Sequence, residues 1–308
     1  VAKRQKKQLS SVEIRSFGPG ANLFFNIFLA IFAVSCIFPF LFIIVISFTR
    51  ESDLVQYGYQ LWPKHWSFGA YQYLQSFSGQ FLQSLGVTIF ITVVGTCLNT
   101  LFSATYGYAI SRKDFTYRRF FTVFALISLL FTPGMVPTYL VVTRMLHLSD
   151  NIWALILPGA FGVYNVLIMR TFYLTQVPDS IVESARIDGA SELLIFRKIV
   201  IPLAIPGIAT ISLFSALGFW NDWFNGMLYI TSDSKVPLQY LLVRIQSNID
   251  ILAKSAQQSS TIGAAVAAIP SEGTRMAMVV LSTLPIALTY PFFQKYFVRG
   301  MTIGGVKE

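Results

Sequence analysis

Long apolar runs with almost no charge inside them divide this chain, and they restrict its fold more than any other feature. The first, Leu23 to Phe48, holds no Asp, Glu, Lys or Arg. A helix of about 20 mostly apolar residues crosses a hydrocarbon core. In lipid such a segment must satisfy its own backbone hydrogen bonds, so helix is the expected state. The short alternating segments of a transmembrane barrel are absent. Charged residues make up 12% of the chain, against about 25% in soluble domains, and the mean hydropathy is +0.60. The expected fold class is all-α, a polytopic membrane protein.

Six spans are predicted, at 23–48, 81–110, 120–142, 151–174, 203–230 and 276–297. They form one domain over 23–297, between an N-terminal tail (1–22) and a C-terminal tail (298–308). A basic cluster (Lys3, Arg4, Lys6, Lys7, Arg15) precedes the first run, as in a secretory signal. That run is much longer than the roughly 7–15 residues of a signal core, and no small-residue cleavage site follows, so it is read as a retained span. Basic residues mark cytoplasmic loops. With the N-terminus inside, 16 of the 23 Lys and Arg fall on the cytoplasmic side, among them Arg112, Lys113, Arg118, Arg119, Arg170, Arg186, Arg197 and Lys198. Both termini are then expected in the cytoplasm. The net charge of +9 therefore reports topology, and no nucleic-acid partner is implied.

Two outer loops are long. Thr49 to Gln80 carries Tyr57, Tyr59, Trp62, Trp66, Tyr71 and Tyr73, residues suited to a membrane–water interface. Thr231 to Arg275 includes the Pro237–Leu242 segment, expected either along the outer membrane surface or against a soluble partner. Pro and Gly interrupt several spans (Pro133-Gly134, Pro158-Gly159, Pro206-Gly207, Pro285, Pro291). Such bends suit a cavity that opens and closes, although these residues are common in membrane helices anyway. Cys36 and Cys97 lie inside predicted spans, so no disulfide and no metal site is expected.

No catalytic constellation is visible, so the chain is not expected to be an enzyme. It lacks a Gly-x-x-x-x-Gly-Lys-Ser/Thr loop and should not bind ATP by that means. Ion-coupled transporters keep ionisable residues inside their spans, but only Arg170 and Asp222 come near that description. Any active transport would therefore draw its energy from a partner.

The polar stretch 175–202 lies between two apolar runs. Val177-Pro178-Asp179-Ser180 is a helix-start signal, with Ser180 and Glu183 at capping-box spacing. Asp188-Gly189 is a helix stop, since glycine takes the left-handed conformation at little cost. A second short helix should follow and end at Pro202. The apolar side would include Ile181, Ala185, Leu193 and Phe196.

The stretch resembles the Glu-Ala-Ala loop of ABC importer permeases. The family pattern is Glu-Ala-Ala, three residues, Gly, nine residues, Ile-x-Leu-Pro. Here it reads Glu183-Ser184-Ala185, Gly189 and Ile199-Val200-Ile201-Pro202, with Ile187-Asp188-Gly189-Ala190 at its centre. Ser184 and Ile201 are mild departures. Trp220-Asn221-Asp222-Trp223, Phe297-Val298-Arg299-Gly300 and Gly304-Gly305-Val306-Lys307 resemble the carbohydrate-uptake branch, in particular the smaller permease subunit of maltose-type importers that handle oligosaccharides.

That resemblance implies a type I importer transmembrane domain in the bacterial inner membrane, forming half of a heterodimeric pore with a second permease. Two cytoplasmic ATPase subunits would bind ATP and Mg, and this chain would hold no cofactor. A coupling helix built on Glu183, Ser184, Ala185, Asp188, Gly189, Ala190, Ile199 and Pro202 would sit in an ATPase cleft. An extracytoplasmic binding protein would approach the loop 231–275. Trp220, Asn221, Asp222 and Trp223 offer aromatic faces and hydrogen-bonding groups for a sugar, or else an interfacial belt. The alternatives are an ABC permease for a non-sugar solute and a stand-alone secondary transporter.

Overall fold

The computed structural model describes residues 19–258 and 271–304. The basic cluster of the N-terminal tail, residues 259–270 of the second outer loop and the last four residues lie outside that range. The described chain is dominated by helix. The only strand-like pairing among the described residues is an isolated bridge between Thr49 and Trp66.

Helices α1 (Pro19–Ser47) and α4 (Ser78–Ser111) match the first two predicted spans. Between them lie the short helices α2 (Glu51–Tyr57) and α3 (Gly69–Gln75). The third predicted span is broken. Helix α5 (Arg118–Leu130) stops before Pro133-Gly134, and α6 (Met135–Leu140) restarts and runs into a π-helical turn over Val141–Met145. The two pieces are bent by 112°. Gly134 sits at φ +83°, which only glycine adopts cheaply.

The fourth predicted span is not one helix either. Pro158-Gly159 separates α7 (Trp153–Ile156) from α8 (Val163–Gln176), and the 14 residues of α8 extend only about 21 Å. After α9 (Asp179–Ile187), helix α10 (Glu192–Ile195) passes through a second π-helical turn, Phe196–Val200, into α11 (Ile201–Trp220). The short α12 (Trp223–Tyr229), then α13 (Leu238–Gln258) and α14 (Ser271–Gly304) complete the described chain. Among the described residues three helices are long and apolar enough to cross a membrane, or four if the bent pair counts as one.

The chain forms two compact units. One comprises the described residues up to Ala70 with Glu272–Val280. There Glu51 accepts the backbone N–H groups of Glu272 and Gly273, both at 3.0 Å, satisfying donors that a helix start leaves open. Trp62 and Trp66 stay exposed and meet edge to face.

The other unit holds Tyr71–Ser271 and the residues from Leu281 onward. Its core is α4 packed against α8 and α11. Small residues let membrane helices approach closely. A Cβ on Gly107 would lie 2.9 Å from Met169 Cβ, 3.0 Å from the Val166 carbonyl oxygen and 3.1 Å from the Arg170 nitrogen. Polar links reinforce the contact. Thr100 and Ser212 pair at 2.9 Å, and the Tyr173 hydroxyl donates to the Ala104 carbonyl at 3.2 Å.

Within the described chain much of Pro237–Leu242 packs inward at the start of α13. Pro237, Leu238, Leu241 and Leu242 are buried, and the Leu238 N–H donates to Thr88 Oγ1 at 2.7 Å. The segment's apolar residues are spent on internal packing.

Asp150 fixes the approach to α13. It sits at φ +52° and accepts from the N–H groups of Thr231 and Ser232, the Ser232 hydroxyl and Lys235 Nζ. These donors, the Ser232 hydroxyl foremost, hold its carboxyl far below the usual carboxylate range. A depressed folded pKa gives stability that is full above the unfolded value of about 4 and lost as pH falls below it. Asn tolerates the same backbone conformation. Asp150→Asn should therefore lower the melting temperature most at neutral pH, with the gap to wild type closing in acid. A gap that stayed constant with pH would contradict this.

Candidate functional site

The stretch 175–202 folds as a helical hairpin fastened to the α4–α8–α11 core. Pro178 caps α9 with an extended backbone, and Asp179 begins the helix. The helix thus starts two residues earlier than the capping box requires. Ser180 already lies in the first turn, and the Ser180–Glu183 box does not form; no side chain caps the helix start. The stop is as expected. Gly189 takes φ +80°, its N–H donates to the Arg186 carbonyl at 2.9 Å, and the Ala190 N–H donates to the Ala185 carbonyl at 3.0 Å. This is a Schellman closure.

The second half departs from expectation. The chain does not stop at Pro202. The wider π-helical turn just before it lets the helix continue through Pro202, near the start of α11, to Trp220. The inward side also differs. Val182, Ile195 and Val200 are buried with Tyr108, Met169 and Tyr173, while Ala185, Ala190, Phe196 and Ile199 pack at the edge. Ile181 and Leu193, expected inside, are 42% and 75% exposed.

Charge fastens both ends of α9 to the segment after α4. Asp179 meets Lys113 Nζ at 2.7 Å and Arg112 at 3.7 Å. The hydrogen bond from Lys113 is the main cause of a lowered Asp179 pKa. Arg186 pairs with Asp114 and with Glu192, donating from Nε to Glu192 at 2.7 Å. Glu192 in turn accepts the Tyr108 hydroxyl at 3.0 Å. Sequence reasoning did not assign these anchoring roles. In the sequence Arg112, Lys113 and Arg186 read as topology signals, and nothing local reveals that two loops distant in sequence exchange charges.

What remains outward is chemically specific. Glu183, Ser184, Asp188 and Gly189 are exposed, and Glu183 makes no hydrogen bond or ion pair within the described chain. Around them Ile187 is 86% exposed, and Leu194 also faces out. Exposed apolar surface marks interaction sites where it is contiguous and rimmed by polar residues.

The second candidate group does not converge. Trp220 is buried and donates to the Ser282 carbonyl at 3.1 Å. Asn221 ends α11, donating to Leu217 and accepting from Gln239. Asp222 caps α12, accepting the Asn225 N–H at 3.0 Å. Trp223 is exposed and meets Phe224 edge to face. The helix breaks at Asn221-Asp222, between the end of α11 and the start of α12, so these neighbours in sequence serve different surroundings. Trp220 lines an apolar groove, and Asp222 a separate polar cavity.

Residues 105–303 match the family model described as "Binding-protein-dependent transport system inner membrane component". Protein LplC of Bacillus subtilis is 43% identical over 271 residues, covering 88% of this chain and 89% of LplC. The polygalacturonan/rhamnogalacturonan transport system permease protein YtcP of the same organism is 39% identical over 281 residues, covering 91% and 96%. A solved bacterial ABC transporter involved in import of the acidic polysaccharide alginate has a chain 30% identical to this one. Its TM-score is 0.75, with 92% of this chain and 99% of that chain covered.

Proposed function

The chain belongs to the family of binding-protein-dependent transport system inner membrane components, and on that premise we propose that it is a permease subunit of an ATP-driven oligosaccharide importer. It pairs with a second, homologous permease. Two ATPase subunits bind ATP and Mg on the cytoplasmic side, and a solute-binding protein delivers sugar from outside. The chain crosses the membrane six times, with both termini in the cytoplasm. Its broken segments 118–145 and 151–176 count as crossings completed by neighbouring helices, a form tolerated where irregular backbone is buried in protein or lines a cavity.

The observation that carries this reading is the α9 hairpin. Its outer side offers Glu183, Ile187 and the Gly189 turn to a partner, while Val182 and the Asp179 and Arg186 ion pairs hold its inner side to three core helices. A push on the hairpin therefore moves α4, α8 and α11 together. ATP-driven closure of the ATPase pair would swing these helices and open the cavity outward, and hydrolysis would reverse the motion. Only unequal affinity of the nucleotide-bound partner for the two states can drive such a shift.

In the assembled transporter, Glu183→Lys and Gly189→Asp should each abolish ATP-dependent uptake while the protein still inserts. Glu183 has no partner in the described chain to lose. An Asp at φ +80° is strained by about 1–2 kcal/mol, too little to unfold the chain. Normal sugar uptake by both variants in proteoliposomes would refute the coupling role.

A further inference from the structure

We infer that this chain itself seats one neutral sugar ring, in the polar cavity between α4, α8 and the last turns of α11; the inference rests on the sugar-importer reading above. The cavity measures about 250 Å³. That is below the roughly 300–1,000 Å³ of sites for larger ligands, so it suits one ring of an oligosaccharide.

Its polar groups are held in place yet incompletely used. Asn99 is 3% exposed. It donates from Nδ2 to the Gly159 carbonyl at 2.9 Å and accepts Asn165 Nδ2 at 2.8 Å. These bonds fix the orientation of the Asn165 amide, leaving its carbonyl oxygen and second N–H for a ligand. Ser215 is 8% exposed, and its hydroxyl has no partner in the described chain. Leaving a buried hydroxyl unsatisfied is unfavourable, and a ligand hydroxyl would relieve it. Asp222 spends one acceptor site on each oxygen, towards the Asn225 N–H and Nδ2. A carboxylate has about four such sites, so capacity remains on both.

This set fits a neutral polyol. Ring hydroxyls can donate to Asp222 and the Asn165 carbonyl, and accept from Ser215 and the Asn165 amide. A ring carboxylate would instead confront Asp222, and none of the lining residues is cationic. Acidic sugars are therefore rejected at this position.

The test uses the assembled transporter in nanodiscs, with Cys36→Ala and Cys97→Ala removing the native thiols. Ser215→Cys places a near-isosteric thiol in the cavity. Gly218→Cys places one at its exposed mouth, where an added Cβ meets nothing within 4 Å. Each is labelled with methanethiosulfonate ethyltrimethylammonium in the presence of galactotriose, mannotriose, xylotriose, arabinotriose or trigalacturonate. Both thiols should label, and at least one neutral trisaccharide should slow labelling, by roughly tenfold at ten times its dissociation constant. Trigalacturonate should not slow it. Asp222→Asn keeps a good helix cap and should make trigalacturonate protective.

The proposal is overturned if Ser215→Cys stays unlabelled or if no neutral trisaccharide protects either thiol. Protection by trigalacturonate while Asp222 is intact, or its failure to appear in Asp222→Asn, also overturns it. Retention of the ATPase subunits is scored separately. Their absence would count against the importer reading, while the protection pattern on this chain is still measured.

Discussion

Ile187→Lys is expected to strip the ATPase subunits from the purified transporter without changing the melting temperature of the permease. Ile187 is 86% exposed, so little apolar burial within the chain is lost. A cation in the last turn of α9 also suits the helix dipole. The cost falls on the partner contact, where an unpaired charge must be desolvated. A penalty of about 3–5 kcal/mol, as for other uncompensated buried charges, lowers affinity by roughly 100- to 4,000-fold.

Val182→Asp, five residues earlier on the same helix, should do the opposite. Val182 is 2% exposed and packs in the cluster with Tyr108, Met169 and Tyr173. A carboxylate there enters this apolar cluster, and a burial cost of several kcal/mol is a large part of a domain's roughly 5–15 kcal/mol stability. The permease should melt lower, and α9 should become a protease site before any ATPase is added. Native-gel assembly and thermal unfolding together separate the two variants. Matching behaviour in both assays would dismiss the division of this hairpin into an outer docking side and an inner packed side.

Gly107→Val should be the most damaging single change in the membrane core. Two of the three atoms that an added Cβ would meet are backbone atoms of α8, and they cannot turn aside as a side chain can. Helices α4 and α8 must separate, costing about 1–3 kcal/mol or more for overpacking. Gly86→Ala, on the same helix, meets nothing within 4 Å. It should be neutral or stabilising, by up to about 1 kcal/mol of helix propensity. Thermal unfolding in detergent decides the matter, and equal effects at the two glycines would contradict a close α4–α8 contact.

The sequence made some elements legible because their cause is local. Apolar length reveals α1 and α4. Asp188-Gly189 reveals the turn because the left-handed conformation is a property of one residue. The bend at Pro133-Gly134 was visible as a break signal, but its 112° angle depends on packing. The Ser180–Glu183 box failed because the helix starts at Asp179, where Lys113 and Arg112 are within reach. Asn99, Asn165 and Ser215 carry no local signal, since one polar residue in an apolar run gives no sign of what faces it from another helix. Trp220 to Trp223 read as one group only because they are adjacent in sequence.

The π-helical turn at Phe196–Val200 acts as a phase adjuster. One buried line from α10 through α11 runs Ile195, Val200, Ala204, Gly207, Ile211, Ser215 and Phe219. Their steps are those of an α-helix except the first, which is longer. An α-helix turns about 100° per residue, so removing one residue from this turn would rotate all of α11 by that amount against the hairpin. Ser215 would leave its cavity, and Phe219 would leave its place against Gly95 and Gly159, where its ring lies too close for an added Cβ on either glycine. Length changes here should be intolerable, while an added residue in the turn after Gly189 would leave every inward position of α11 in register.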